Sequence, residues 1–170
     1  MNPRLRNSLF AVSLAGSLLA PAQAFAQVPA PIAMSGETTI ATFHAEGAQL
    51  YQCKPDPAHN LVWQFREPIA ALILDGKTIG THYAGPNWQH FDGSGVRAKT
   101  ASSVPGTTPD DVPWLKLEVT EQRGNGILSH ASIVQRINTK GGATQGPCET
   151  AGEYRSVPYS ADYVFLRKDH

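Results

Sequence analysis

Residues 82–94 hold the densest group of side chains in this chain that could do chemistry. They read His-Tyr-Ala-Gly-Pro-Asn-Trp-Gln-His-Phe-Asp-Gly-Ser. If the chain is extended on both sides of its central turn, His82, His90 and Asp92 could converge. Imidazole and carboxylate groups are ligands for zinc and other divalent ions, so the pattern predicts a candidate metal site at these three residues. A candidate ligand-binding site at the same place consists of His82, Tyr83, Trp88, His90 and Asp92.

The same segment also has a purely structural interpretation. Gly85-Pro86 and Asp92-Gly93 are turn-forming pairs, Trp88 could fill a core, and the two histidines could hydrogen-bond locally. The spacing of the three polar residues matches no recognised metal site. Both interpretations stay open, and apart from such a divalent ion we expect no cofactor.

A serine hydrolase is a second catalytic possibility. Ser94, Ser156 or Ser160 could act as the nucleophile, with His82 as base and Asp162 as its partner. The sequence contains no G-x-S-x-G nucleophile elbow, and residues 160–163 equally suit a turn that enters a last strand. We therefore assign no catalytic residue.

Aromatic residues could line a groove for a sugar or another flat apolar ligand. The candidates are Trp63, Trp88, Trp114, Tyr51, Tyr83, Tyr159 and Tyr163. A β-core of this size also needs large apolar residues. We expect Trp63 and Trp114 in the core, whereas Trp88 suits either place because its neighbours are polar.

Short runs of β-forming residues between turn signals predict the elements that must position these side chains. The clearest runs are residues 49–53, 61–65, 114–120, 132–137 and 162–167. Leu115, Leu117 and Val119 alternate with polar residues, which predicts a strand with one buried face. Asp75-Gly76 lies between two apolar runs and predicts a two-residue hairpin.

Two segments suggest other structure. Residues 67–74 suit a short helix, because Pro68 fits a first helical position and the following alanines and leucine suit the interior. Residues 99–112 are rich in Ser, Thr and Pro, which predicts a long surface loop. The predicted fold class is all-β, an antiparallel sandwich or a partly open barrel with at most one or two short helices.

The first 26 residues have the three parts of a secretory signal peptide. Arg4 and Arg6 precede an apolar stretch that is shorter than the roughly 18–20 residues of a spanning helix. Of two overlapping cleavage sites we favour the one after Ala26. We therefore expect an exported protein, periplasmic or extracellular, with no membrane span after cleavage. The predicted organisation is a signal peptide at 1–26, an extended proline-rich segment at 27–37 and one β-rich domain at 38–170.

Charge gives no reason to expect nucleic-acid binding. Cleavage would remove two of the 14 basic residues and none of the 14 acidic ones, which leaves a formal charge of −2. Nucleic-acid binding through net charge needs a basic surface. The partner we expect is a small molecule or another protein, whose identity the sequence does not specify.

Both cysteines, Cys53 and Cys148, lie in the part expected to be exported. Because an oxidising compartment lets disulfides persist, we predict a single Cys53–Cys148 bridge. The alternative is a zinc or redox pair, but the chain has no C-x-x-C spacing.

Several stretches, taken in order, resemble the DUF3455 family of exported proteins of unknown function. They are Gly47-Ala-Gln-Leu-Tyr-Gln-Cys53, Trp63, Gly80-Thr-His-Tyr-Ala-Gly-Pro-Asn-Trp88, Phe91-Asp-Gly-Ser94, Val112-Pro-Trp-Leu115, Gln135-Arg136, Thr139-Lys-Gly-Gly142, Cys148 and Val157-Pro-Tyr-Ser-Ala-Asp-Tyr163. The resemblance covers nearly all of the expected mature domain. The resemblance implies membership of this family, but it implies no particular activity.

The residues together favour a non-enzymatic exported module that binds a ligand or a partner. The first alternative is a metal-dependent or hydrolytic enzyme centred on His82, His90 and Asp92, which requires these side chains to meet in one pocket. The second is an inhibitor of an extracellular hydrolase, which would present residues 99–112 as an exposed loop.

Overall fold

The computed structural model describes residues 28–169 and is built almost entirely of β-strands. One short 3-10 helix, Ala30–Ile32, precedes eight strands. The strands are β1 (Glu37–Pro55), β2 (Leu61–Leu74), β3 (Lys77–Tyr83), β4 (Asn87–His90), β5 (Gly95–Val104), β6 (Trp114–Arg123), β7 (Ile133–Gly141) and β8 (Tyr154–Lys168). The predicted all-β fold is confirmed. The predicted signal peptide at 1–26 lies outside the described residues.

The eight strands form one antiparallel sheet that closes into a ring. Each strand pairs with its neighbour in sequence, and β1 pairs with β8 from Glu37–Lys168 to Gln52–Tyr154. The ring is irregular because β4 has only 4 residues whereas β1 has 19. No helix within residues 28–169 has the length and apolar character that crossing a membrane requires.

The connections between strands lie alternately at the two ends of the ring, because neighbouring strands run in opposite directions. We call one end the rim; it carries the connections at residues 56–60, 84–86, 105–113 and 142–153. We call the other end the base; it carries the connections at residues 75–76, 91–94 and 124–132.

Alternate side chains of each strand point into the ring and form the main core. In β6, Leu117 is buried with Leu115 and Val119 packed beside it, while Glu118 and Thr120 are exposed, so the predicted alternation is confirmed. Among the largest fully buried side chains are Phe43, Trp88, Tyr163 and Phe165. Burying one large apolar side chain stabilises a fold by about 1.5–3 kcal/mol.

The segment before β1 crosses the outer face of the ring. Ile32 is fully buried there, and its carbonyl oxygen accepts a hydrogen bond from Gln135 Nε2. Pro31 O accepts one from Ser102 Oγ. Because Gln135 alternates with the core residue Val134 along β7, this contact lies outside the ring.

The helix predicted for residues 67–74 is wrong, since all of them belong to β2. They pair with β1 on one side and, from Ala70 onward, with β3 on the other. Ala70 is small, and it lies where β1 and β2 approach each other closely. Gly47 lies opposite Ala70, and a Cβ at Gly47 would lie 2.1 Å from the carbonyl oxygen of Ile69. Pairing on both edges overrides the local helix propensity.

The prediction of a long loop over residues 99–112 is wrong for the first half of this segment. Residues 99–104 continue β5 and pair with β6. The connection is confined to residues 105–113 and is tied to β7, because Asp111 Oδ1 accepts a hydrogen bond from Gly141 N and Oδ2 accepts one from Thr108 N. The segment that a hydrolase inhibitor would present is therefore shorter than expected and anchored.

The predicted hairpin and disulfide are confirmed. Asp75 and Gly76 have φ values of 50° and 73°, the positive values that a type I′ turn requires. Cys53 is bonded to Cys148, which joins β1 to the 142–153 connection at the rim. The sequence separation of 95 corresponds to roughly 4–5 kcal/mol of stabilisation in the chain-entropy model. Trp63 is buried beside the bridge, as predicted for the core.

Candidate functional site

A cavity of about 360 Å³ lies inside the ring. All eight strands contribute to its wall, which is possible only for the interior of the ring. One lining residue from each strand in turn is Tyr51, Phe65, His82, Trp88, Thr100, Leu117, Arg136 and Tyr163. Gly85, Pro86, Val112 and Pro113 from two rim connections complete the wall, so the cavity opens toward the rim. Its volume is in the range of small-molecule sites, about 300–1,000 Å³.

Stacked aromatic rings form one side of the cavity. The imidazole of His82 lies parallel to the indole of Trp88, with ring centroids 4.5 Å apart, and Tyr163 lies 4.9 Å from His82. Trp88 is 1% exposed, and its indole N–H has no acceptor within residues 28–169. Phe65, 56% exposed, lies edge-on to Tyr51 among the residues that line the cavity. His82, Trp88 and Tyr163 are thus packed on one another, and among these rings Phe65 presents the accessible apolar face of the wall.

His82 is held as a neutral imidazole in this wall. It is 2% exposed, and its Nδ1 lies 2.8 Å from the carbonyl oxygen of Asn87, which can only accept, so Nδ1 carries the proton. Burial lowers the pKa of His82 to about 3, because it outweighs the effect of this hydrogen bond, and the charge of Arg136 lowers it further. A group with so low a pKa is a poor general base near neutral pH.

Arg136 supplies a positive charge to the cavity. Its Nε donates a hydrogen bond of 3.0 Å to Pro113 O, which fixes the guanidinium beside the rim end of β6, where Arg136 pairs with Leu115. Within residues 28–169, Arg136 forms no ion pair with Asp or Glu. Burial raises the pKa of Tyr163, and the nearby Arg136 charge only partly offsets this effect. Tyr163 therefore stays a protonated phenol.

The base of the ring is closed by a hydrogen-bonded turn. Asp92 Oδ1 accepts from the backbone N and the Oγ of Ser94, and Oδ2 accepts from Ile127 N. Ser94 Oγ in turn accepts from the backbone N of Leu128, whose side chain is fully buried in the core. Burial opposes ionisation of Asp92, but these hydrogen bonds outweigh it and hold its pKa well below its usual range.

The structure separates the five residues of the predicted ligand site. His82 and Trp88 line the cavity. Tyr83 lies outside the ring, where its hydroxyl accepts a hydrogen bond from Arg123. His90 stacks on Phe43 in the core, and its Nδ1 lies 3.1 Å from Oδ1 of Asp92 at the base. Residues 28–169 contain no group of three or more His, Cys, Asp or Glu side chains placed to hold a metal ion.

The side chains proposed for a serine triad do not hydrogen-bond to one another. Ser94 bonds to Asp92, and Asp162 bonds to His44 and Asn138. Across the described part of the chain, no serine hydroxyl hydrogen-bonds to a histidine.

Sequence reasoning missed Arg136, Arg66 and Phe65 as cavity residues. A signal existed for Arg136, because it shares the inward face of β7 with Val134, and a charge on a buried face is unusual. The flanking isoleucines at 133 and 137 obscured which face was buried. Tyr51, Trp88 and Tyr163 were among the predicted groove residues and do line the cavity.

The family model described as a protein of unknown function (DUF3455) matches residues 34–167, and the chain belongs to that family. No curated protein matches the chain, and no solved structure matches it.

Proposed function

We propose that this DUF3455 protein is an exported, non-enzymatic domain that binds a small molecule with a flat apolar body inside its ring. The observation that carries the proposal is the cavity of about 360 Å³ with residues of all eight strands in its wall. A concave, mostly apolar pocket with a few polar groups is the usual form of a small-molecule site.

The chemistry of the lining favours binding over catalysis. No Asp, Glu, Ser or Cys of the described chain is among the lining residues. The one imidazole, His82, is neutral and already hydrogen-bonded to Asn87 O. Such a wall has apolar side chains to hold a ligand but lacks the paired nucleophile and base that covalent catalysis uses.

Export is supported by two independent features. The Cys53–Cys148 bridge is of a kind that persists in oxidising compartments. The first 26 residues have the composition of a secretory signal. Sequencing the N-terminus of the protein recovered from its native compartment tests this part of the proposal, with Gln27 expected as the first residue.

Titration calorimetry with 2-naphthamide, a neutral bicyclic probe, and with 2-naphthoate, its anionic counterpart, tests the binding site. We expect at least one probe to bind with a stoichiometry of one. Leu115→Trp places a large ring inside the cavity from β6 and should abolish binding, since Leu115 lines the wall. Glu118→Trp puts the same ring on the exposed face of the same strand and should leave binding unchanged.

Absence of binding by both probes would contradict the proposal. Equal binding by the wild type and by Leu115→Trp would contradict it too, because the probe would then occupy some other surface. Circular dichroism of both variants checks that each retains the β-fold.

A further inference from the structure

We infer that the ligand of this cavity is an organic anion, whose carboxylate or similar acidic group is bound by Arg136 while its apolar body lies against Phe65 and Leu115. This inference rests on the proposed binding function and specifies its ligand class.

The first support is the charge of the cavity wall. Its titratable residues include two arginines and no acidic residue within the described chain. Arg66 is partly neutralised, because its Nε lies 3.3 Å from Glu67 and its guanidinium stacks over Tyr154. Arg136 has no carboxylate partner among residues 28–169. A partly buried cation without a counter-charge is unfavourable, and an anionic ligand group would compensate it.

The second support is the orientation of the guanidinium. Only Nε of Arg136 bonds to the backbone, at Pro113 O, and within residues 28–169 neither Nη atom donates to a carboxylate or a backbone carbonyl. The hydroxyl of Tyr163 also interacts with this guanidinium. The N–H groups that Tyr163 does not take can bind a carboxylate, for which a guanidinium is suited by its parallel donors. Because the Pro113 contact holds the side chain in place, little conformational freedom remains to be lost on binding.

The third support is the composition of the wall next to Arg136. Tyr163 lies beside the stacked pair of His82 and Trp88, and burial keeps its phenol protonated, so its O–H can donate to an anion. His82 is neutral and does not compete with Arg136 as a second cation. An aromatic or other flat acid would thus place its ring against the accessible apolar side chains of the wall, Phe65 and Leu115, and its charge at Arg136.

The test compares two probes of equal shape, 2-naphthoate and 2-naphthamide, by titration calorimetry on the wild-type protein with its disulfide formed. We expect 2-naphthoate to bind on the order of tenfold to a hundredfold more tightly, as charge-assisted hydrogen bonds predict. Arg136→Met keeps an unbranched apolar chain and should remove this preference, because it lowers the affinity for 2-naphthoate more than that for 2-naphthamide. Arg167→Met is the control, because Arg167 is exposed and does not line the cavity, and it should keep the preference.

The outcomes separate this inference from the proposed function. Equal affinities of the wild type for both probes, with binding lost in Leu115→Trp, would overturn the anion assignment and leave the cavity as a binding site. No binding by either probe would overturn both. An unchanged preference for 2-naphthoate in Arg136→Met would overturn the role of Arg136. If Arg136→Met does not fold, the wild-type comparison still decides on the anion, and Arg136→Lys, which keeps the charge, should retain most of the preference.

Discussion

The carboxylate of Asp92 closes the base of the ring, and removing it should destabilise the protein measurably. It accepts hydrogen bonds of 2.8 Å from Ser94 N, 2.6 Å from Ser94 Oγ and 2.8 Å from Ile127 N. These bonds connect the 91–94 turn to the 124–132 connection, which carries the buried Leu128. Asp92→Ala leaves two backbone N–H groups without this acceptor and frees the connection that covers the base.

The expected size of the effect follows from these bonds. A hydrogen bond to a charged group contributes about 1.5–3 kcal/mol when well shielded. The side chain of Asp92 is 32% exposed, so water replaces part of what is lost. We expect Asp92→Ala to lower the free energy of unfolding by about 2–3 kcal/mol, and Tm by roughly 6–9 °C for a domain of this size.

Denaturant unfolding followed by circular dichroism measures the loss in the free energy of unfolding. Hydrogen exchange shows which part of the structure becomes less stable. The amides of Ile127 and Leu128 should exchange faster in Asp92→Ala, whereas amides in β1 should follow the global stability. Asp110→Ala is the control, because Asp110 is exposed and its side chain accepts no hydrogen bond within the described residues. A loss in Asp92→Ala no larger than in this control, about 0.5 kcal/mol or less, would refute the role given to Asp92.

Three further predictions concern the same framework. Replacing both Cys53 and Cys148 by Ala should lower the free energy of unfolding by about 4 kcal/mol, and an unchanged denaturation midpoint would contradict this. Gly47→Ala should lower the free energy of unfolding by at least about 1–3 kcal/mol through overpacking, since its Cβ would lie 2.1 Å from a backbone oxygen of β2. A neutral substitution would show that the two strands can separate. The pKa of Asp92 is lowered by folding, so its ionised form stabilises the protein above about pH 3.9. The stability difference between wild type and Asp92→Asn should therefore be constant from pH 5 to 8 and shrink as the pH falls below about 4, and a difference that grows on acidification would contradict it.

Local patterns were sufficient to predict much of the fold. Asp75-Gly76 predicted its hairpin because only a few residue pairs accept two positive φ values. The alternation in residues 114–120 predicted the buried face of β6 because side chains of a strand point to opposite faces. The disulfide followed from the count of cysteines and the expected compartment.

Features that depend on pairing were not predictable in the same way. Residues 67–74 have helix-favouring composition, and only their neighbours on β1 and β3 make them a strand. The cavity was missed for a similar reason. Arg136 and Tyr163 are 27 positions apart and meet only because β7 pairs with β8, so neither residue marks a site by its own surroundings in the sequence. Asp92 was chosen for its chemistry, whereas its carboxylate is engaged in closing the base.

A crystal structure of the protein grown with 2-naphthoate would test the central claim most directly. We predict that the naphthalene ring lies inside the ring of strands against Phe65 and Leu115, with a carboxylate oxygen about 2.7–2.9 Å from an Nη atom of Arg136. A structure with the probe bound only on the outer surface, or with its carboxylate turned away from Arg136, would contradict the claim.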